Sequence, residues 1–582
     1  MAALAGVALT ILAGCGGCRS KGADGPPLTA AAFLPAKPRS VVLVPEPAKL
    51  GAIAQSLEQT KLAGLAASAA GARGTAELMR PLVSQLGFDP RTPEGFAQAG
   101  IDGGRGLAFG GDGSGGEVLV IAVADPAKFS AYVEGLAGRQ GGLTKGVVPY
   151  EGSPEAPVEK RDIHIFSDSS GRLKVAFGIR DGFAVISSGE GAVDAVGLSL
   201  SRPAGQALDA SPAFLRISRK LGDRQLYAWM PGGTGAGRNK RFEGGLAVGI
   251  AASAGGVNAR VLIPRGPLEV AMIRPLGKVA GLELMSQLSV DDFLAIRLGG
   301  EPVSLQPLLG EILPRSVSTG LRRAGIKPVP DILALLQPGA VLGFSINPEV
   351  DLSGGLPTDP SIARTNPFSF VHMSLVAKVK DPVRAAEVLQ LLAENGDKFK
   401  MEIASREDGG VEVYNARYRA GEGMSWALIG DTLLATGGEG AFERARARLA
   451  ASSGAGATAG DGAGSASGAG ASDRGGRGAP QQAQAALSKG SQERGPGGTA
   501  FRIEEPAARA IFETAGSAAH LNMPRLTSAL RDLPASAYGV GGFRLKEVMG
   551  TWVELLDEVK GVTASFSIDE MGLVVDADLG LR

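Results

Sequence analysis

A strand that ends in an Asp-Pro pair and continues into an amphipathic helix occurs twice in this chain, and this repeat restricts its fold more than any other feature. A strand-like run of mainly apolar residues covers 119–124 before Asp125 and Pro126, and another covers 375–380 before Asp381 and Pro382. Asp caps a helix through its carboxylate, and Pro suits the first helical position because its missing N–H would have no partner there. The spacing of about 250 residues therefore predicts two copies of one plan.

Other segments recur in the same order as this unit. The matched pairs are 42–50 with 294–305, 181–192 with 431–441, 226–231 with 519–524, and the hairpin 246–261 with 562–572. Strands and helices mix without strict alternation, which favours antiparallel sheets covered by helices over a doubly wound parallel sheet. We therefore predict an α+β fold, with a first repeat over 35–265 and a second over 285–450 and 499–582.

The pattern is interrupted inside the second copy. Residues 451–498 consist mainly of Gly, Ala, Ser, Arg and Gln, with Leu487 as the single large apolar residue. Such a composition buries too little apolar surface to offset the entropy of ordering, so we predict a disordered linker here. After it, Trp552, Leu555 and Leu556 have helical spacing and predict a helix over 551–560.

A short apolar run near the N-terminus, residues 4–12, closes with Leu-Ala-Gly-Cys at 12–15. This segment resembles the lipobox of bacterial lipoproteins. The resemblance implies that 1–14 is a signal peptide, that Cys15 is lipidated, and that the mature chain begins there. Residues 15–34 are rich in Gly and Pro and predict a flexible tether. Two alternatives are an incidental cysteine and a C-x-x-C redox pair with Cys18, although such pairs belong at the start of a helix in a folded unit.

The body of the chain also contains turns of the type Gly87-Phe88-Asp89-Pro90 and Gly325-Ile326 beside the repeated strand–Asp–helix unit. In this layout it resembles a family of exported, often lipid-anchored bacterial proteins that is known only as a domain of unknown function. The resemblance covers residues 35–582 and implies the tandem α+β architecture. It implies no activity.

Composition excludes several kinds of partner. The chain has 59 Lys and Arg against 59 Asp and Glu, so no net charge attracts it to nucleic acid or to anionic lipid. No run after the N-terminus reaches the roughly 20 apolar residues of a membrane-spanning helix. The predicted membrane attachment is therefore the lipid at Cys15.

The sequence offers few groups for catalysis or metal binding. Its three histidines are dispersed, and we interpret His164 and His372 as half-exposed strand residues; His520 has no Cys or His near it in the sequence. Asp576 and Asp578 share one strand face, which we attribute to solvent exposure. We therefore predict no catalytic residue, no metal site and no cofactor.

Two glycine-rich stretches resemble phosphate-binding loops only in part. Residues 111–116 satisfy G-x-G-x-x-G but precede a strand instead of opening a helix, which predicts a hairpin loop. Residues 232–240 have Arg238 where a phosphate loop requires Lys, and we interpret them as a solvated basic loop.

These features favour a non-catalytic binding or scaffolding protein of the cell envelope. Gly16 follows Cys15, and the lipoprotein resemblance then implies an outer-membrane anchor facing the periplasm, with an envelope protein as possible partner. The alternative is a carrier that shields an apolar ligand such as a lipid, because the small residues at 244–254 could line a cavity. A hydrolase assembled from distant residues is a third hypothesis.

Overall fold

The computed structural model describes residues 29–49, 80, 83–111, 116–139, 142–153, 156–232, 245–253, 256–279, 281–308, 315–347, 370–399, 401–418, 421–454, 501, 503, 506–533, 550, 553 and 556–581. Contacts divide the chain into two compact units. Unit 1 comprises Met1–Arg274 and Leu555–Arg582, and unit 2 comprises Pro275–Glu554. Both mix helices with antiparallel strands, as the sequence predicts.

Twelve strands are described in unit 1. They are β1 Ser40–Val44, β2 Leu107–Gly111, β3 Val118–Ala122, β4 Thr144–Ser153, β5 Ala156–Ser167, β6 Leu173–Arg180, β7 Phe183–Ser188, β8 Leu226–Pro231, β9 Gly245–Ser253, β10 Gly256–Pro264, β19 Val559–Asp569 and β20 Gly572–Leu581. Antiparallel pairing gives the order β4-β5-β6-β7-β3-β2-β1-β8-β9-β10-β20-β19.

Helices pack on both faces of this sheet near β3, β6 and β7. The α-helices described in unit 1 are α1 Pro93–Gln98, α2 Pro126–Arg139, α3 Ala192–Leu200, α4 Pro212–Leu221 and α5 Pro267–Ile273. Helix α3 packs on β6 and β7, and its face buries Val196 and Leu200. On the other face Phe129 of α2 meets Phe177 of β6 with their ring centroids 6.2 Å apart. The amphipathic stripe through Phe129 and Val133 therefore forms the predicted core contact.

Unit 2 contains eight described strands. They are β11 Leu294–Leu298, β12 Ala340–Ile346, β13 Val371–Lys378, β14 Glu402–Asp408, β15 Val411–Tyr418, β16 Gly421–Ile429, β17 Thr432–Gly437 and β18 Ser517–Asn522. Antiparallel pairing gives the order β14-β15-β16-β17-β13-β12-β11-β18.

This second sheet is also covered on both faces. The α-helices described in unit 2 are α6 Arg315–Arg323, α7 Pro382–Glu394, α8 Ala441–Gly454, α9 Pro506–Thr514 and α10 Met523–Arg531. Helix α8 and the 3-10 turn Glu283–Gln287 cover one face at β13 and β17, and α7 covers the other at β14 and β16. None of the helices in the described part of the chain has the length and apolar character needed to cross a membrane.

The helix caps that the repeat predicts are present in both units. The Asp125 carboxylate accepts hydrogen bonds from the amides of Ala127 and Lys128 at 3.1 Å. The Asp381 carboxylate accepts from the amide of Arg384 at 3.0 Å. Each cap satisfies amides that the first turn of a helix leaves without partners.

Several predicted boundaries differ from the structure. The predicted tether 15–34 includes the 3-10 helix Thr29–Phe33, whose Phe33 packs in the core of unit 1. The predicted linker 451–498 begins inside α8, which ends at Gly454. The predicted helix 551–560 overlaps β19, which begins at Val559. The rest of the predicted linker, residues 455–498, lies outside the described residues.

The C-terminal hairpin also belongs to a different compact unit from the one predicted. The sequence assigns 499–582 to the second repeat, whereas contacts group Leu555–Arg582 with unit 1. The physical reason is strand pairing, because β20 runs alongside β10 from Gly256 opposite Gly580 to Pro264 opposite Gly572.

Candidate functional site

The sequence-predicted site residue Cys15 lies outside the described residues, as do Cys18 and the signal peptide 1–14. Of the glycine-rich stretches, Gly111 ends β2 and Gly116 precedes β3, and these two strands pair antiparallel. The two strands that flank the predicted loop are therefore paired as in a hairpin, while residues 112–115 lie outside the described residues. The basic residues 238–241 lie outside the described residues.

The structure agrees with the predicted half-exposed position of His164 but not with that of His372. His164 of β5 is half-buried, and its ring stacks on Phe177 at a centroid distance of 4.8 Å. His372 of β13 and His520 of β18 are both buried. The prediction of a half-exposed His372 is wrong, because α8 covers the strand face on which it lies.

His372 belongs to a polar cluster inside unit 2, which also contains Arg444 and Arg448 of α8 and Asp292 before β11. The Arg444 Nη2 atom lies 3.0 Å from His372 Nδ1. Burial, and then the nearby Arg444 charge, lower the pKa of His372 to about 4. His372 is therefore neutral at physiological pH.

Asp292 is the acidic member of this unit 2 polar cluster. Its Oδ2 accepts the amide of Ser289 at 2.7 Å. Burial raises the pKa of Asp292 to about 6, whereas the Ser289 amide and the charge of Arg448 act in the opposite direction. Gly343 makes room for this carboxylate, because a Cβ at Gly343 would lie 2.2 Å from Oδ2.

Two further polar side chains of unit 2, His520 and Arg297, are buried. Burial, and then the charge of Arg525, lower the pKa of His520 to about 4. Arg297 of β11 is fully buried, and its Nη2 donates to the carbonyl of Phe512 at 2.6 Å and to that of Ala515. These carbonyls end α9, where a cation is favoured by the helix dipole. Arg297 thus serves as a structural cap.

Asp576 is only partly exposed and Asp578 is buried, so the attribution of their shared face to solvent exposure is wrong. Arg260 of β10 binds Asp576 of β20 through two hydrogen bonds of 2.6 and 3.1 Å, and its Nη1 also donates to the carbonyl of Lys220 in α4. Asp578 is buried on the same face. Strand alternation gives the period of a strand but does not determine which of its faces is covered.

The small residues of β9, which motivate the carrier hypothesis, leave no room on the α4 side of the sheet at their centre. A Cβ at Gly249 would lie 2.7 Å from Arg224 Cγ and 3.3 Å from Leu221 Cβ. The space above Gly249 is therefore filled by side chains of the same unit.

An open groove of about 440 Å³ lies between helix α7 and strand β15 of unit 2. The helix contributes Val383, Ala386, Glu387 and Gln390, and the strand contributes Glu412 and Tyr414. Val383 is 73% exposed although it is apolar. The groove has an apolar wall, two carboxylates and one phenol, which suits it to binding.

We define this groove as the α7–β15 groove. The sequence does not predict it, because the apolar stripe of α7 through Ala385 identifies only the face that packs on the core. The available signal was Val383, an apolar residue on the polar face of that helix.

Within the described residues, no group of three His, Cys, Asp or Glu side chains is arranged to hold a metal ion. No protein-family model, no curated protein and no solved structure matches this chain. The resemblances to bacterial lipoproteins and to an uncharacterised exported family stay predictions from the sequence.

Proposed function

We propose that this chain is a lipid-anchored, non-catalytic binding or scaffolding protein of the bacterial cell envelope. The Leu-Ala-Gly-Cys segment ending at Cys15 supports the anchor, and the Gly- and Pro-rich residues after it support a tether. The proposed place is the outer membrane, with the folded units facing the periplasm.

The α7–β15 groove carries the binding role in this proposal. It is open to solvent, combines apolar and acidic lining, and includes the exposed Val383. By contrast, His372 and Asp576 have arginine partners inside the fold. These pairs support structural roles for the buried titratable groups.

We further propose that the chain contains two tandem copies of one α+β plan. The order β4-β5-β6-β7-β3-β2-β1-β8 in unit 1 corresponds strand by strand to β14-β15-β16-β17-β13-β12-β11-β18 in unit 2. The shared caps at Asp125 and Asp381 add to this correspondence. In this proposal, β19–β20 is the counterpart of β9–β10.

The anchor is tested by Cys15→Ala, with Cys18→Ala as the matched control. Cells are labelled with an alkyne fatty acid, and the protein is followed through membrane fractionation. We expect Cys15→Ala to lose the label and to leave the membrane fraction or remain uncleaved, because its acyl chains are the anchor. Cys18→Ala keeps both. Equal labelling of the Cys15→Ala protein contradicts the proposal.

A specific observation supports the alternative function, a carrier or shield for an apolar ligand such as a lipid. The face of β20 and β19 opposite α4 bears Val575 and Ile568, which are partly exposed, and Phe566, which is 40% exposed. Native mass spectrometry of protein purified from its own envelope tests this role. A retained lipid, lost in Phe566→Ser, supports the carrier; ligand-free protein that retains a protein partner supports the scaffold.

A further inference from the structure

Glu412 puts a negative charge on the strand side of the α7–β15 groove, and Glu394 of α7 lies close enough to act on the groove residue Tyr414. Glu412 Oε2 accepts the Tyr414 hydroxyl at 2.8 Å, and Glu394 Oε1 accepts the Gln390 amide at 2.9 Å. Both carboxylates therefore accept from neutral groups. Burial, and then Glu412, raise the pKa of Tyr414 to about 12, so the phenol stays protonated and remains a donor.

A second observation increases this charge. Glu407 of β14 lies directly opposite Glu412 of β15 in the strand register. Like charges at facing positions of an antiparallel pair destabilise the sheet. A bound cation near Glu412 would relieve this repulsion.

On the helix side of the groove, Glu387 already pairs with a guanidinium of the same helix, which leaves Glu412 as the carboxylate to which a partner's charge is directed. Arg384 of α7 donates to Glu387 at 2.8 Å and to Asp331 at 3.2 Å. The apolar wall beside these groups consists of Val383, Ala386 and the ring of Tyr414. Long basic side chains pack their methylene stems on such walls and keep the charged end beside carboxylates.

We propose that the α7–β15 groove binds a lysine or arginine side chain presented by an exposed segment of a partner protein. The stem lies on Val383 and Tyr414, and the charged end is directed to Glu412. This inference rests on the proposed binding role and names the chemistry of the partner. Its basis is charge complementarity, together with an apolar wall whose Val383 is 73% exposed.

The test measures fluorescence anisotropy of a fluorescein-labelled hexapeptide of alternating lysine and serine, titrated with the full chain in detergent. A hexapeptide with glutamate in place of lysine is the first control. We expect the lysine peptide to bind more tightly, and its affinity to fall as salt is added.

The double variant Glu387→Gln with Glu412→Gln removes two groove carboxylates, while Gln at 412 still offers an oxygen to Tyr414. We expect affinity for the lysine peptide to fall about tenfold. The matched control is Glu151→Gln with Glu190→Gln, which removes the same charge from exposed positions of unit 1. We expect this control to keep the affinity of the unmodified chain.

Val383→Lys provides an independent variant, because its exposed position leaves the packing of α7 intact. The new ammonium occupies the groove, and we expect peptide binding to be lost. Equal affinity for both peptides, or equal weakening by the groove and control variants, overturns the inference. Such a result leaves the lipid anchor untouched, since fatty-acid labelling at Cys15 decides that separately.

Discussion

The two units place different residue types at matching positions of their central strands. Leu43 of β1 lies opposite Ala108 of β2, and Arg297 of β11 lies opposite Val341 of β12. Leu43 and Arg297 are both buried. One strand order therefore accommodates either an aliphatic side chain or a guanidinium at the same depth.

The neighbouring strands β8 and β18 differ in the same way, with an aromatic residue in unit 1 and a polar residue in unit 2. Trp229 of β8 lies opposite Val41, and His520 of β18 lies opposite Ala295. Trp229 packs against Phe214 with ring centroids 5.5 Å apart, whereas His520 is held neutral by its surroundings. In this layer unit 1 packs apolar and aromatic side chains against each other. Unit 2 instead places polar side chains there, which need hydrogen-bond partners.

The strand order therefore does not depend on an apolar centre, because a buried guanidinium can be accommodated where carbonyl groups accept from it. Arg297 has the carbonyls at the end of α9. Because breaking a buried polar contact costs more than the contact contributes, the two units should respond differently to exchanged residues and to pH.

The largest expected effect comes from exchanging the buried residues. Leu43→Arg puts a charge among the apolar residues of the unit 1 core, and we expect the free energy of unfolding to fall by about 3–5 kcal/mol. Arg297→Leu leaves the Phe512 and Ala515 carbonyls without this donor, and we expect a fall of about 2–4 kcal/mol. Urea unfolding followed by circular dichroism measures both changes.

Leu43→Met is the control for the first variant, because it conserves volume and costs less than about 1.5 kcal/mol. If Leu43→Arg is as stable as Leu43→Met, unit 1 accepts a buried guanidinium as readily as unit 2 does. That result would contradict the difference between the two units.

The next effect is a loss of stability in acid that originates in unit 2. The pKa values of His372 and His520 are lowered to about 4 in the fold, so each stabilises the protein above pH 6.5 and loses that effect as pH falls towards 4. Asp292 has the opposite sign: its pKa is raised to about 6, so its contribution is present below pH 3.8 and lost as pH rises through 6.

Each shift corresponds to about 3 kcal/mol, so two histidines against one aspartate give a net loss of about 3 kcal/mol between pH 6.5 and 4. Urea midpoints at the two ends of this range measure it. In the double variant His372→Asn with His520→Asn the acid-dependent loss should disappear. A loss of unchanged size in that variant would assign the acid sensitivity to other groups.

The smallest effect concerns a feature that the units share. Asp125→Ala and Asp381→Ala each remove a helix cap, and we expect each to lower the free energy of unfolding by about 1 kcal/mol. Asp125→Asn and Asp381→Asn retain a side-chain acceptor, so we expect each to lower the free energy of unfolding by only a few tenths of a kcal/mol. Unequal losses at the two caps would show that the matched positions are not equivalent.

The sequence was most informative where local chemistry determines the structure. Asp125 and Asp381 cap their helices as predicted, because a cap depends on residues within one turn. The stripe containing Phe129 is buried for the same reason, since its period is set by the helix itself.

The features that the sequence does not predict depend on residues that are distant in the chain. The covered face of β20 is determined by α4 and by Arg260, which lies 316 residues before its partner Asp576. His372 is buried because α8 returns over β13. The α7–β15 groove likewise combines a helix with a later strand, so no local pattern contains it.

The pairing of β10 with β20 has a consequence for the way the protein is made. Strand β10 is synthesised before unit 2, but β20, which pairs with one of its edges, is synthesised only after unit 2. An open strand edge of this kind invites pairing with other chains. The pairing of β10 with β20 therefore cannot form until residues 572–581 have been synthesised, and this edge of β10 stays open during that interval.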